Sequence, residues 1–277
     1  MSDHVPDRSV GEAFRPPGRG VATPRPQVAD PARDTTARGG LKASPTDVDA
    51  TSALLALLQL ADSAFPSGAF AHSSGLEQLA RQRLVHTPQE LERFVTSILH
   101  QSVATSDAPA ACVASLAANA DDLSAVLELD RALYRTKAAA ELRGATLQTG
   151  RRLLEEVSAH CEDASLSAYA SQVRANETLG TYPVAFGVVS AALGVDPKDV
   201  APALMYSTAA AVLQASMRLL PVSHRDVQAI LHRLRPQIAS LAPALDAGDT
   251  PKLRSFNPMQ EIASMRHAFA AARLFAS

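Results

Sequence analysis

From about Ala50 onward, apolar residues recur every three or four positions in runs separated by short breaks of Pro, Gly, Ser and Asp. This is the pattern of amphipathic helices joined by turns. The first run predicts a helix from Ala50 to Ala61 with Leu54, Leu57, Leu58 and Ala61 on one face. A second helix follows a polar break and reaches about Arg83. Thr87-Pro88-Gln89-Glu90 reads as a capping box with proline at the first helical position. It opens a run in which Leu91, Phe94, Val95, Ile98 and Leu99 fall at i, i+3, i+4, i+7 and i+8. Ser106 or Asp107, ahead of Pro109, is expected to cap the next helix, and Asp121 or Asp122 one carrying Leu123, Val126, Leu127 and Leu133. A long helix from Thr136 to about Ala159 contains Gly144 and Gly150, each costing about 1 kcal/mol relative to alanine. Both read as points of close helix–helix approach. Tyr182-Pro183 opens a helix that stops at Gly194, and Asp196-Pro197-Lys198-Asp199 starts an Ala-rich helix to about Leu220. Small side chains suit that helix to a central position. Ser223 caps a last bundle helix, which Pro236 should kink or split.

The predicted fold is therefore all-α, a bundle of about nine or ten helices flanked by two segments of different character. Residues 1–50 are rich in Pro, Gly and Arg without apolar periodicity. Such a segment buries too little apolar surface to offset its ordering entropy and reads as a disordered extension. Residues 51–246 form the helical domain, and residues 247–277 a linker and C-terminal partner-docking tail. The tail is amphipathic, and its apolar anchors lie beyond the expected end of the bundle, as in segments that dock on a partner.

Composition sharpens this picture. Hydrophobic residues make up 47% of the chain but aromatics only 4%, so Ala and Leu, the strongest helix formers, carry the core. A net charge of −2 argues against nucleic-acid binding, which calls for a basic face. No apolar run is long enough to span a membrane, no signal sequence is recognisable, and a cytoplasmic location is expected. Cys112 and Cys161 lack C-x-x-C spacing and read as small hydrophobes; a disulfide or paired thiolate site stays open.

Candidate chemistry gathers in the break after the first helix. Pro66 lacks an N–H and Gly68 tolerates positive φ, so the chain must turn there. Phe65 and Phe70 would anchor the turn to a core, and Asp62, His72 and Glu77 surround it. Asp62, His72, Ser73 and Glu77 could be assembled into an acid–base set, yet no G-x-S-x-G elbow or preceding strand supports a hydrolase. The plainer reading has Asp62 and Ser63 capping the loop and Glu77 pairing with an arginine. The histidines are scattered without metal-ligand spacing, and no phosphate-binding G-x-x-x-x-G-K-[ST] occurs. The chain is expected not to be an enzyme and to bind no cofactor directly.

Asp62, Ser63, Pro66, Gly68, Phe70, His72, Ser73, Gly75, Leu76 and Glu77 together resemble the D-S-x-x-P-x-G-x-F-x-H-S-x-G-L-E run of the UreF family of urease accessory proteins. Glu141-Leu142-Arg143 with Gln148, Gly150, Arg151 and Leu153 is similar to that family's E-L-R-x-x-x-x-Q-x-G-R-x-L. Tyr182 to Gly187, Arg218 to Pro221, Ile262 to His267 and Arg273 to Ser277 continue the likeness, which covers about Leu54 to Ser277. One departure lies at Ser223 to Gln228, where the family commonly has G-Q-x-x-G-Q and only Gln228 fits. The resemblance implies a non-catalytic chaperone in a complex with UreD (also called UreH) and the GTPase UreG, acting on apo-urease. That complex handles nickel and GTP, and UreF regulates the GTPase and assembles as a homodimer; no membrane or nucleic acid is implied. Two partner-binding surfaces are expected. The tail, with Ile262, Met265, Arg266, His267, Arg273 and Leu274, would dock on UreD. The loop, with Asp62, Pro66, Gly68, Phe70, His72 and Glu77, would join Arg266 in presenting a UreG site. The alternative is an all-helical small-cofactor-binding enzyme using a single His, for which a deep apolar pocket at His72 would speak. A direct nickel store would need clustered His or Cys.

Overall fold

A computed structural model describes residues 45–62, 65–243 and 251–276, with side chains from Asp49 onward except that of Phe70. The expectations for residues 1–44, for Ser63, for the Phe70 ring and for most of the linker lie outside the described residues. What is described is helical throughout: α1 (Pro45–Ala61), α2 (Leu76–Arg81), α3 (Pro88–Ile98), α4 (Ala108–Asn119), α5 (Leu123–Tyr134), α6 (Ala140–Ser158), α7 (Ala164–Arg174), α8 (Tyr182–Ala192), α9 (Pro197–Ser216), α10 (His224–Leu241) and α11 (Pro258–His267). The all-α reading holds, including the number of separate rods, because α3 and α4 are one continuous helix.

Local chemistry explains most boundaries. The Thr87 hydroxyl accepts from the Glu90 N–H while Glu90 accepts from the Thr87 N–H, closing the capping box that opens α3. Ser223 and Asp226 make the same reciprocal pair at α10, which is the work done by the residues that depart from the family run. Asp122, not Asp121, caps α5. Helix α7 has no counterpart in the sequence reading, although Asp163 caps it and Leu166, Tyr169, Ala170 and Val173 form its buried face.

Three expectations are corrected. Asp107 does not start a new helix. Residues Leu99–Asp107 continue α3 as wider π turns, and the Asp107 carboxylate instead receives the Lys137 ammonium at 2.9 Å. Pro236 does not split α10, because it sits on the exposed face, where the carbonyl it leaves unpaired can turn to water. On α1 the buried side is Leu60 with Ala53, Ala56 and Leu57 packed behind it, while Leu54, Leu55 and Leu58 face outward.

Two hydrophobic clusters fill the body, one among α4 to α8 and one among α2, α3, α9, α10 and α11. Helix α9 lies between them: Val200 and Leu204 enter the first, Ala201, Met205 and Val212 the second. Its small residues allow this central position, as expected. Close approach is real at Gly150, where a Cβ would overlap the Gly180 carbonyl, and at Gly187, where it would overlap that of Ala111. It is not the reason for Gly144, which has open space around it. The start of α8 is held by a buried carboxylate on α5. Asp130 accepts from the N–H groups of Leu179, Gly180 and Thr181 and from the hydroxyls of Thr178 and Thr181 at 2.5–2.9 Å.

The C-terminal segment does not stand outside the bundle, contrary to the sequence expectation. Pro109 has no N–H to offer the carbonyl of Thr105, four residues earlier. The Arg254 N–H takes that carbonyl at 2.9 Å, and the Phe256 N–H takes the Gln101 carbonyl at 3.0 Å. Widened turns and a proline thus leave acceptors on the α3–α4 helix that the returning chain satisfies. Asn257 caps α11 through the Gln260 N–H and donates to Ser97, and α11 then packs on α2 and α6.

Candidate functional site

The loop after α1 folds as its sequence demands. Ser67 donates back to the Phe65 carbonyl, Gly68 takes φ +78°, and a short 3₁₀ turn at Ala69–Ala71 leads to Gly75 at φ +87°. Gly75 is where the loop meets α11: a Cβ there would lie 3.1 Å from the Ala263 Cβ and the Gln260 carbonyl. Without that side chain, α11 comes down directly on the start of α2, and the polar residues of both helices meet.

Their meeting point is His267. Its ring is fully buried, with Nε2 2.9 Å from Glu77 Oε2 on α2 and Nδ1 3.0 Å from Glu141 Oε2 on α6. Each carboxylate turns its other oxygen to an arginine, Glu77 to Arg81 at 2.5 Å and Glu141 to Arg273 at 3.1 Å. Glu77, 1% exposed, also accepts the backbone N–H groups of Leu274 and Phe275 at 2.9 and 3.1 Å. Burial alone would raise its pKa. The N–H of Leu274, the His267 ring, the N–H of Phe275 and the Arg81 charge outweigh that and hold it below the usual carboxylate range. The chain beyond α11 is thereby pinned. The Phe275 ring is buried beneath the Arg218 guanidinium, 5.5 Å from its centroid, and Ala276 donates to the Ala71 carbonyl.

The residues expected to bind partners therefore separate into several places. Glu77 and His267 form the buried cluster, which the exposed Arg273 reaches through Glu141 and the Leu274 backbone through Glu77, while the Leu274 side chain is exposed. Asp62 and Pro66 lie elsewhere, on a cleft of about 510 Å³ shared with Glu156, His160 and Cys161. Gly68 lies under Arg152. His72 is buried on a third feature, a cavity of about 130 Å³ bordered by Ile98, Val103, Thr146, Thr149 and the Asp107–Lys137 pair. Burial, then the Arg152 charge, lowers the His72 pKa and keeps its ring neutral. That cavity suits a few waters and is well below the roughly 300 Å³ at which cofactor pockets begin. Ile262, Met265 and Arg266 point outward, and with Phe256, Met259 and Phe269 they give the C-terminal segment an exposed apolar face. Both cysteines are free thiols, Cys112 buried and Cys161 half-buried.

Sequence reading missed Glu141, Arg81 and Asp130 as organising residues. Only the first two left a signal: Glu77 and Arg81 are four apart, and Glu141 stands in the family-like run. Among the described residues no three His, Cys, Asp or Glu side chains are placed to hold a metal ion, and no helix is long and apolar enough to cross a membrane.

The architecture is thus an all-helical body whose chief buried polar cluster binds its own C-terminal segment and leaves an apolar face of that segment in solvent. The family model described as UreF matches residues 85–235. The chain is 36% identical over 222 residues to a protein named urease accessory protein UreF 2 from Brucella canis, covering 80% of this chain and 91% of that one. It is 31% identical to urease accessory protein UreF of Photorhabdus laumondii over 81% of this chain and 98% of the relative. The Yersinia pestis protein of the same name is 33% identical over the same shares. The chain belongs to the UreF family.

Proposed function

We propose that this chain is a non-catalytic chaperone of urease maturation, working in a complex with UreD and the GTPase UreG on apo-urease. In this reading nickel and GTP are handled by the assembled complex, and the chain, as a homodimer, recruits UreG and regulates its hydrolysis. Family membership supports the urease assignment. The observation that carries a scaffold role is the outer face of α11 and the residues flanking it. Ile262, Met265 and Phe269 (91% exposed) follow the spacing of one helical face with Arg266, whose guanidinium makes no hydrogen bond or ion pair among the described residues, and Phe256 (77%) is exposed just ahead of the helix. Monomeric proteins keep contiguous apolar patches small, and a larger one marks an interaction surface. An arginine amid exposed apolar side chains has the composition of an interface hot spot. The buried face of α11 holds this surface in place, so the partner meets a formed helix.

The test is size-exclusion chromatography with light scattering on this protein mixed with UreD and UreG from the same source. A ternary complex is expected, and Arg266→Ala should weaken UreG recruitment by about tenfold or more while leaving the thermal midpoint unchanged. A protein that stays apart from both partners in every nucleotide and nickel condition ends this reading. The cofactor-enzyme alternative finds no support in the small cavity beside His72.

A further inference from the structure

We infer that the segment after α11 is held by a pH-dependent latch, in which a doubly protonated His267 bridges Glu77 and Glu141. The argument is geometric. Both ring nitrogens lie within 3.0 Å of a carboxylate oxygen, and an ionised carboxylate only accepts hydrogen bonds. An imidazole can donate from both nitrogens only as the cation. The neutral ring has one N–H, so its other nitrogen presents a lone pair to a buried carboxylate oxygen.

Every charged group packed around the ring belongs to the same arrangement. From α2 come Glu77 and Arg81, from α6 Glu141, and from the segment itself Arg273. The two arginines occupy the Oε1 atoms, where Glu77 also receives the Leu274 N–H at 2.9 Å, and the Oε2 atoms take His267 and, on Glu77, the Phe275 N–H. Among the described residues His267 is the one cationic side chain at those two Oε2 atoms. When the proton is lost, the bridge between α2 and α6 opens at one end or the other. Opening at Glu77 disturbs the acceptor of the two tail N–H groups, and opening at Glu141 disturbs the partner of Arg273. Either way residues 268–276 lose an anchor. The sign follows: the latch is complete while His267 is charged, and it loosens as rising pH removes that charge.

The experiment is nuclear magnetic resonance on the full chain, titrated from roughly pH 5.5 to about pH 9. The ¹⁵N shifts of the His267 ring report its proton count. Exchange protection factors of the Leu274 and Phe275 amides, corrected for intrinsic rates, report the latch. The ring should pass from two protons to one, and both amides should lose about tenfold in protection over the same pH range. Glu141→Gln supplies an amide N–H to the ring lone pair and so satisfies the neutral ring. It should keep the amides protected and flatten their pH dependence. The inference is overturned if the ring holds one proton throughout, if protection is constant while the ring titrates, or if Glu141→Gln keeps the wild-type pH dependence. The wild-type titration decides the matter by itself should that variant lose the tail at every pH.

Discussion

Glu77 is the residue with most depending on it. Its two oxygens receive an arginine, an imidazole and two backbone N–H groups, and the residues that donate are as distant in sequence as Arg81 and Phe275. Removing a buried charge partner leaves its donors unpaired in the interior, a loss of about 3 kcal/mol or more. Glu77→Ala should therefore lower the unfolding free energy from denaturant titration by that order and free the tail. The pH dependence has a definite sign. The folded-state pKa of Glu77 is lowered, so its contribution is full above the ordinary carboxylate value and is lost as pH falls through the depressed one. Wild-type stability should drop as pH falls below the ordinary carboxylate range, more steeply than that of Glu77→Gln, which has no carboxylate to protonate. Equal slopes in the two proteins would show that Glu77 is not a source of the acid sensitivity. The prolines and glycines of the preceding loop could be read as a turn, and Glu77 as the partner of a nearby arginine. Its bonds to His267, Leu274 and Phe275 could not, because nothing local to either end encodes a contact nearly two hundred residues away.

Helices were legible where two signals agree. In α3 the capping box and the apolar stripe fix both the start and the face, and Leu91, Phe94, Val95, Ile98 and Leu99 are all buried. In α1 the run Leu54-Leu55-Ala56-Leu57-Leu58-Gln59-Leu60 supports more than one stripe. Packing against the first cluster chose Leu57 and Leu60, a choice that depends on neighbours the run does not specify. The glycines of α6 show the same limit. Gly144 and Gly150 share one helix and one cost in propensity, yet only Gly150 faces a neighbour's backbone. Gly144→Ala, on the exposed side, should stabilise the protein by about 0.5–1 kcal/mol. Gly150→Ala or Gly187→Ala must push a backbone carbonyl aside and should cost about 1–3 kcal/mol or more. Thermal melts of the three variants check this, and a destabilised Gly144→Ala would mean that the face of α6 is assigned wrongly.

At the scale of the whole molecule, the C-terminal segment joins stability to partner binding. Sequence reading took its apolar anchors to be entirely for a partner, because the amphipathic pattern shows that a face will be covered without showing by what. The structure divides them. Ala263, Ser264 and His267 are buried against the body, while Ile262, Met265 and Phe269 lie outside. Truncating the segment would confuse the two roles, since α11 is part of the second hydrophobic cluster. Substitutions on its two faces separate them. Ala263→Asp places an unpaired carboxylate in the core and should cost several kcal/mol, on the order of 3 or more. Ile262→Asp with Phe269→Asp lies on the exposed face and should shift monomer stability by no more than about 0.5 kcal/mol. If the outer face is the docking surface, that double variant should nevertheless lose UreD or UreG from the complex in sedimentation or light scattering. A double variant that melts normally and still assembles with both partners would assign recognition to another surface. The outward leucines of α1, Leu54, Leu55 and Leu58, would be the next place to substitute.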